Sequence, residues 1–160
     1  MKLNLGCGTD IKHGWVNIDR FPGPGVNHVQ DITDPLPFDD EAVEEVLASH
    51  VLEHLAEWEN VVLEIHRVLK VGGKLTIRVP YGLCLQTYHK RFFDELTLDG
   101  FIQQSQFFKS PSIEGFPVFK CLEKSVDRDY PFAWHVKRYL GLMLPLGPKA
   151  IITWVLEKVI

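Results

Sequence analysis

The sequence has few cysteines, no excess of basic residues and no long uninterrupted hydrophobic run. Its 160 residues include three widely spaced cysteines, Cys7, Cys84 and Cys121, which give neither a disulfide framework nor a C-x-x-C zinc motif. Lys and Arg number 17 against 21 Asp and Glu, and the resulting net charge of −4 argues against a dedicated nucleic-acid-binding protein. Near the C-terminus, Pro145 and Pro148 interrupt the apolar residues before they reach the ~20 that a membrane-spanning helix needs. Together with the lack of a signal-peptide pattern, these absences predict a cytoplasmic protein without a transmembrane segment.

The composition indicates one domain of ordinary globular type. A chain of 160 residues forms one hydrophobic core, and 46% hydrophobic residues with 24% charged residues exclude a disordered protein. Residues 1–81 alternate short apolar runs with glycine, proline and aspartate, whereas residues 82–160 are more aromatic and less regular. We therefore expect a single domain, residues 1–160, with two halves of different character.

Short apolar runs bounded by turn residues predict a sheet of buried strands. The runs cover residues 2–5, 15–18, 26–29, 43–48 and 75–79, with a further strand over 117–125. Apolar residues at three- and four-residue steps predict a helix over 51–69, stopped by Gly72-Gly73, and shorter helices over 94–104 and 132–144. Residues 150–159 are rich in β-branched side chains, which favours a strand over a surface helix. Between the first two strands there is room for about one helical turn.

The ends of the first three runs carry candidate ligand-binding residues. Gly6-Cys7-Gly8 follows the first run, and glycine lets a backbone approach a ligand closely, although many such turns bind nothing. The third glycine of a dinucleotide fingerprint is missing from G-C-G-T-D-I, which argues against NAD. Asp19 ends the second run and either accepts hydrogen bonds from both hydroxyls of a ribose or is a solvated loop residue. Asp31 follows the third run and either accepts from an exocyclic amine or caps a turn.

Five segments, taken in this order, resemble a known enzyme family. LNLGCGTD, GWVNIDR, VQDITDPLPFDD, VLASHVLEHL and EIHRVLKVGGKLTIRVPY are similar to class I S-adenosylmethionine-dependent methyltransferases, especially the small type 11-like branch. The resemblance covers residues 2–81. It implies an α/β, Rossmann-like, doubly wound fold with a seven-stranded, mostly parallel sheet whose last strand is antiparallel. It also implies that residues 1–81 bind S-adenosylmethionine, released as S-adenosylhomocysteine, and that residues 82–160 form a variable acceptor half.

The resemblance implies a role for individual positions as well. It places the glycine segment at the methionine part of the cofactor, Asp19 at the ribose, Asp31 and Ile32 at the adenine, and Ser49 and His50 on the sulfonium side. Asn4 stands where the family most often has an acidic residue, and Asp10 stands where many members have a third glycine. The predicted cofactor-binding residues are Asn4, Gly6, Cys7, Gly8, Asp19, Arg20, Asp31, Ile32, Ser49 and His50.

Histidines are the candidate catalytic residues. His50 directly follows the fourth run, and His89 lies in YHKRFFDELT, which resembles a segment before the last large helix of some relatives. Either imidazole could take a proton from a nucleophile, and for His89 the alternative is a simple loop residue. His50 and His54 have the H-x-x-x-H spacing of a zinc pair. Because H-E-x-x-H is absent and no third ligand is obvious, we expect no metal site.

The sequence thus predicts an enzyme that methylates a small-molecule or saccharide-type acceptor, with no nucleic acid as partner and the oligomeric state open. One alternative is a non-catalytic S-adenosylmethionine-binding or scaffolding protein with the same fold. The other is a nucleotide-sugar or NAD enzyme on a similar sheet, against which the missing third glycine argues.

Overall fold

The computed structural model of this chain describes residues 1–81, 89–103, 119–127 and 150–159. At its centre lies a seven-stranded sheet with the strand order β3-β2-β1-β4-β5-β7-β6. The strands are β1 (Lys2–Leu5), β2 (Val16–Asp19), β3 (His28–Val29), β4 (Val43–Ser49), β5 (Leu69–Pro80), β6 (Phe119–Asp127) and β7 (Ile151–Lys158). β7 is antiparallel to β5 and to β6, and the pairings among β1 to β5 are parallel. The predicted mixed sheet with an antiparallel last strand is therefore confirmed.

The last strand supplies much of the core. Ile152, Trp154 and Leu156 of β7 are fully buried, as expected for a strand with a paired neighbour on each side. This confirms the strand interpretation of residues 150–159 over the surface helix. The helix predicted over 132–144 lies outside the described residues. Within the described ranges, no helix has the length and apolarity needed to cross a membrane.

The predicted helix over 51–69 is broken into two parts. Leu52–His54 forms a 3₁₀ turn, and helix α1 spans Trp58–Val68. Arg91 donates to the Ala56 carbonyl at 3.0 and 2.6 Å, and the Lys90 N–H donates to the Glu53 carbonyl at 2.8 Å. These carbonyls would accept helical hydrogen bonds in a continuous helix. Long-range contacts with residues 90–91 thus replace the helical bonds, which no local pattern reveals.

Two further local predictions were wrong. Residues 94–103 contain turns and a 3₁₀ turn, Asp99–Phe101, rather than an α-helix. There Asp94 forms a local turn with Thr97, and Ile102 bridges to Phe119 in extended conformation. The fifth strand begins at Leu69, directly after α1, so Gly72 lies within β5 at an irregularity of its pairing with β4.

The connection between β1 and β2 contains no helix, contrary to the predicted single turn. Three asparagines replace it. Asn4 and Asn17 are 2% exposed, and Asn4 Nδ2 donates to Asn17 Oδ1 at 2.9 Å. Asn17 Oδ1 also accepts from the Lys12 N–H, and Asn17 Nδ2 donates to the Lys12 carbonyl. Asn27 Oδ1 in turn accepts from the Asn17 N–H at 2.7 Å. Side-chain amides therefore satisfy backbone groups that a crossover helix would satisfy itself.

Candidate functional site

The strand order reverses direction between β1 and β4. The strands β2 and β3 lie in order on one side of β1, and β4 and β5 lie in order on the other side of β1. Such a switch point opens a crevice at the carboxyl ends of the parallel strands. Gly6-Cys7-Gly8, here called the glycine loop, follows β1 at this point, and His50 follows β4. The sheet thus brings together predicted site residues that are far apart in sequence.

The two glycines of the loop have different roles. Gly6 has a φ of +62°, and a Cβ there would lie 2.7 Å from Val51 Cβ, so glycine is needed for the loop to pack against the chain after β4. Gly8 has a φ of +48°, and a Cβ there would meet no atom of the described residues within 4 Å. Gly8 therefore leaves backbone open for close approach by a ligand.

Asp19 joins the end of β2 to the glycine loop. Its Oδ2 accepts a hydrogen bond from the Gly8 N–H at 2.8 Å, and its Oδ1 accepts from the Phe21 N–H at 3.0 Å. The carboxylate is half-buried, so it can still accept from a ligand through its remaining lone pairs. The interpretation of Asp19 as a merely solvated residue does not account for its bond to the loop.

Asn4 lies beneath the loop rather than on its open side. Its amide donates to the Asp10 carbonyl at 2.7 Å and to Asn17 Oδ1 at 2.9 Å, and the side chain is buried. Both partners are oxygen atoms that require a donor, which an ionised carboxylate at position 4 would not supply. Asn17 is a site residue that the sequence analysis missed, although a polar residue inside an apolar run was its visible signal.

Asp31 adopts the capping arrangement that the sequence left as one of two possibilities. Its Oδ1 accepts from the Thr33 N–H at 3.0 Å and from Thr33 Oγ1 at 2.8 Å. The backbone and side-chain hydrogen bonds from Thr33 lower the pKa of Asp31. The Ile32 side chain is buried in the core, so only its backbone is available to a ligand.

The remaining predicted cofactor residues differ in exposure. Cys7 is buried, and burial, followed by the charge of Asp19, raises the pKa of its thiol, so it is a small packing residue rather than a reactive one. Arg20 is exposed, and its guanidinium lies 5.1 Å from the centre of the exposed Phe21 ring. Ser49 is half-buried at the end of β4.

His50 has an unusual backbone conformation. Its φ is +53°, a region that non-glycine residues adopt rarely and that concentrates at functional sites. Its N–H still donates to the Arg78 carbonyl at 2.8 Å, which fixes the turn at the end of β4. The side chain is 44% exposed, and its Nδ1 lies 3.4 Å from Oε1 of the buried Glu53. His50 therefore carries a partly exposed imidazole, held beside Glu53 just after the end of β4.

His89 lies in the same region, next to His54. Their ring centres are 5.0 Å apart, and the ligand atoms of Glu53, His54 and His89 all lie within 4.8 Å of one another. Burial lowers the pKa of His89, while Glu53 acts in the opposite direction. The sequence analysis missed Glu53. The run His50-Val51-Leu52-Glu53-His54 carries the signal, since it places a carboxylate between two histidines.

Known proteins share this fold. The family model described as methyltransferase domain matches residues 3–77. The structure of the [4+2]-cyclase SpnF has a TM-score of 0.68 at 16% identity, over 99% of this chain and 74% of that chain. The 1,6-didemethyltoxoflavin N1-methyltransferase of Burkholderia thailandensis, with bound 1,6-didemethyltoxoflavin and S-adenosylhomocysteine, has a TM-score of 0.63 at 13% identity, over 99% and 71%. A SAM-dependent methyltransferase from Archaeoglobus fulgidus has a TM-score of 0.63 at 14% identity, over 98% and 85%. A search of curated proteins gave no match.

Proposed function

We propose that this chain is a class I S-adenosylmethionine-dependent methyltransferase, because the methyltransferase-domain model matches residues 3–77 and solved methyltransferases share its fold. We propose further that it methylates a small-molecule or saccharide-type acceptor, with the cofactor held by the glycine loop and Asp19. The observation that carries this proposal is the hydrogen bond from the Gly8 N–H to Asp19 at the switch point of the sheet. It sets an open backbone segment beside a carboxylate at the place where α/β sheets bind nucleotides.

The residues at this point fit the cofactor. Gly8 leaves room against the loop, and the Asp19 carboxylate offers charge-assisted acceptors for two ribose hydroxyls. The glycine loop and Asp19 would hold S-adenosylmethionine, which when bound would supply an activated methyl group that a nucleophile can take while the C–S electron pair stays on sulfur. The protein's contribution is to align the nucleophile with that methyl group and to exclude water.

His50 is the residue that we place against the acceptor. It follows β4 at the crevice, it is strained and exposed, and Glu53 lies beside its Nδ1. From there the imidazole can hydrogen-bond the nucleophile and take its proton where one must leave. We place His89 on the acceptor side as well, because residues 90–91 are hydrogen-bonded to the turn that carries Glu53.

Net charge and one fold neighbour support the proposed acceptor class. A net charge of −4 does not favour a nucleic-acid acceptor. One neighbour of the same fold is, by its name, an N1-methyltransferase of a small heterocycle. The second candidate function is a protein that binds the cofactor without transferring its methyl group. One neighbour of the same fold is, by its name, a [4+2]-cyclase, so this fold also hosts chemistry other than methyl transfer.

Turnover with methyl-labelled S-adenosylmethionine tests the proposal. Four proteins are assayed against panels of small hydroxyl, amine and saccharide acceptors: the wild type, His50→Ala, His89→Ala and the exposed control His13→Ala. We expect label transfer by the wild type and by His13→Ala. The turnover of His50→Ala should be about 10²–10⁴-fold lower than that of the wild type, because a general base is lost. Its affinity for S-adenosylhomocysteine should change little. Cofactor binding without label transfer to any acceptor would instead support the non-catalytic candidate.

A further inference from the structure

Glu53 is a buried carboxylate with an unusual environment. The side chain is 2% exposed, and its Oε2 has no hydrogen-bond partner among the described residues. Its Oε1 lies 3.4 Å from His50 Nδ1. Leaving a charged oxygen buried and unpaired is costly unless a cation or a proton compensates it. A cation or a proton beside Oε2 would therefore stabilise the buried Glu53 carboxylate.

Two histidines lie where that partner would be. The ligand atoms of Glu53, His54 and His89 are all within 4.8 Å of one another, and each of these residues is buried or half-buried. We propose that Glu53, His54 and His89, here called the histidine–glutamate cluster, bind a divalent metal ion of the zinc type. Two imidazoles and one carboxylate form a donor set that suits zinc and other first-row divalent ions.

The backbone holds the cluster in place from both sides. Glu53 and His54 lie in the 3₁₀ turn, and the N–H groups of Lys90 and Arg91 donate to the Glu53 carbonyl at 2.8 and 3.2 Å. Arg91 also binds the Ala56 carbonyl through its guanidinium. These contacts fix His89 opposite His54, although the two residues are far apart in sequence.

The distances are close to those of a bound ion. Ligands of tetrahedral zinc lie roughly 3.4 Å from one another, as follows from bonds of about 2.0–2.1 Å. The ligand atoms of the cluster are now up to 4.8 Å apart. Side-chain rotations that move the ring nitrogens of the half-buried histidines by about 1 Å would bring these atoms to the spacing of zinc ligands.

Three protein ligands would leave a fourth position open, as in catalytic zinc sites. His50, beside Glu53, would orient the ligating carboxylate, which is a role that outer-shell groups commonly have. The metal site does not depend on methyl transfer, so each proposal can fail without the other.

Metal titration of the untagged 160-residue chain, freed of metal with a chelator and without cofactor, tests the site. Zn²⁺ binding is followed by calorimetry, and Co²⁺ binding by its visible absorption. We expect one equivalent per chain and a Co²⁺ spectrum of low coordination number. His54→Ala and His89→Ala should each weaken Zn²⁺ binding at least 10-fold, because loss of a ligand costs no less than loss of an outer-shell group. His54→Cys, which keeps a zinc donor, should retain more affinity than His54→Ala.

Further variants separate a metal site from a structural cluster. Glu53→Gln keeps the shape and the backbone bonds of Glu53 and should weaken Zn²⁺ binding at least 10-fold, while the metal-free variant melts no lower than the metal-free wild type. The exposed controls His13→Ala and His28→Ala should bind Zn²⁺ as the wild type does. Two results would overturn the proposal. One is the absence of stoichiometric Zn²⁺ and Co²⁺ binding by the wild type. The other is wild-type Zn²⁺ affinity in folded Glu53→Gln and His89→Ala proteins.

Discussion

The Gly8 N–H donates a hydrogen bond to Asp19 Oδ2 across 2.8 Å, so the loop after β1 and the end of β2 are held together at the switch point. This bond places an acidic acceptor and an open stretch of backbone on the same side of the crevice. One arrangement thus both stabilises the loop and forms the cofactor site that we propose.

Substitution of Gly8 should affect binding more than folding. In Gly8→Ala the positive φ costs roughly 1–2 kcal/mol, and the added methyl group projects into the space where the cofactor would lie. We expect a folded protein with S-adenosylhomocysteine affinity lowered at least 10-fold by calorimetry. Gly14→Ala is the matched control, because its φ is +78° and its surroundings are also open. Equal affinity losses in the two variants would show that backbone strain, and not ligand contact, is responsible.

Asn4→Asp should be destabilising even though an acidic residue is common there in the family that this chain resembles. The carboxylate would face the Asp10 carbonyl and Asn17 Oδ1, which both now accept from the Asn4 amide. We expect a loss of about 3 kcal/mol in the free energy of unfolding, measured by urea denaturation at pH 7. Asn60→Asp, which removes an exposed amide donor to Glu57, should cost less than about 1 kcal/mol. A neutral effect of Asn4→Asp would contradict the buried network.

Removal of the last strand should abolish folding. A chain ending at residue 147 lacks β7, which pairs with β5 and β6 and contributes three fully buried side chains. Each such side chain stabilises by about 1.5–3 kcal/mol, against a typical total stability of about 5–15 kcal/mol. We expect no cooperative thermal transition by circular dichroism. Within the full chain, Trp154→Ala should cost about 3–5 kcal/mol, whereas the exposed Leu122→Ala should cost far less.

Glu64 should make stability depend on pH in the acid range. Hydrogen bonding from Arg67, together with the Leu36 N–H, lowers the pKa of Glu64. A carboxylate with a lowered folded-state pKa adds stability above its unfolded pKa of about 4.3, and this stability is lost as the pH falls through the folded value. Glu64→Gln should therefore be destabilised by about 1 kcal/mol at pH 7, discounted for partial exposure, and the difference should shrink near pH 3. Urea denaturation at both pH values measures this, and a pH-independent difference, or one as large in the exposed control Glu59→Gln, would contradict it.

Much of the first half could be predicted because its information is local. The apolar runs ending in Gly6, Asp19 and Ser49 are short, and each is bounded by its own turn residues, so both the strands and the candidate cofactor residues are visible in the sequence. The known strand order of such sheets then brings these ends to one edge.

The predictions from sequence were wrong where contacts between residues distant in the chain determine the local structure. The break before α1 depends on Arg91 binding the Ala56 carbonyl, and the missing helix over 94–104 depends partly on the bridge between Ile102 and Phe119. The same reason hid the histidine–glutamate cluster, because His89 reaches His54 only through tertiary contacts. Periodicity indicates which face of an element is apolar. It does not indicate which remote group will donate a hydrogen bond to a carbonyl that would otherwise accept one within a helix.

The most direct test of the central claim is calorimetry of S-adenosylhomocysteine binding to Asp19→Ala. If the Asp19 carboxylate binds the ribose, its loss should weaken binding by roughly 1.5–3 kcal/mol, or about 10–150-fold. The exposed control Asp39→Ala should bind as the wild type does, and a thermal melt should show that Asp19→Ala remains folded after loss of its bond to Gly8. Wild-type affinity in a folded Asp19→Ala protein would contradict the assignment of this site to the cofactor.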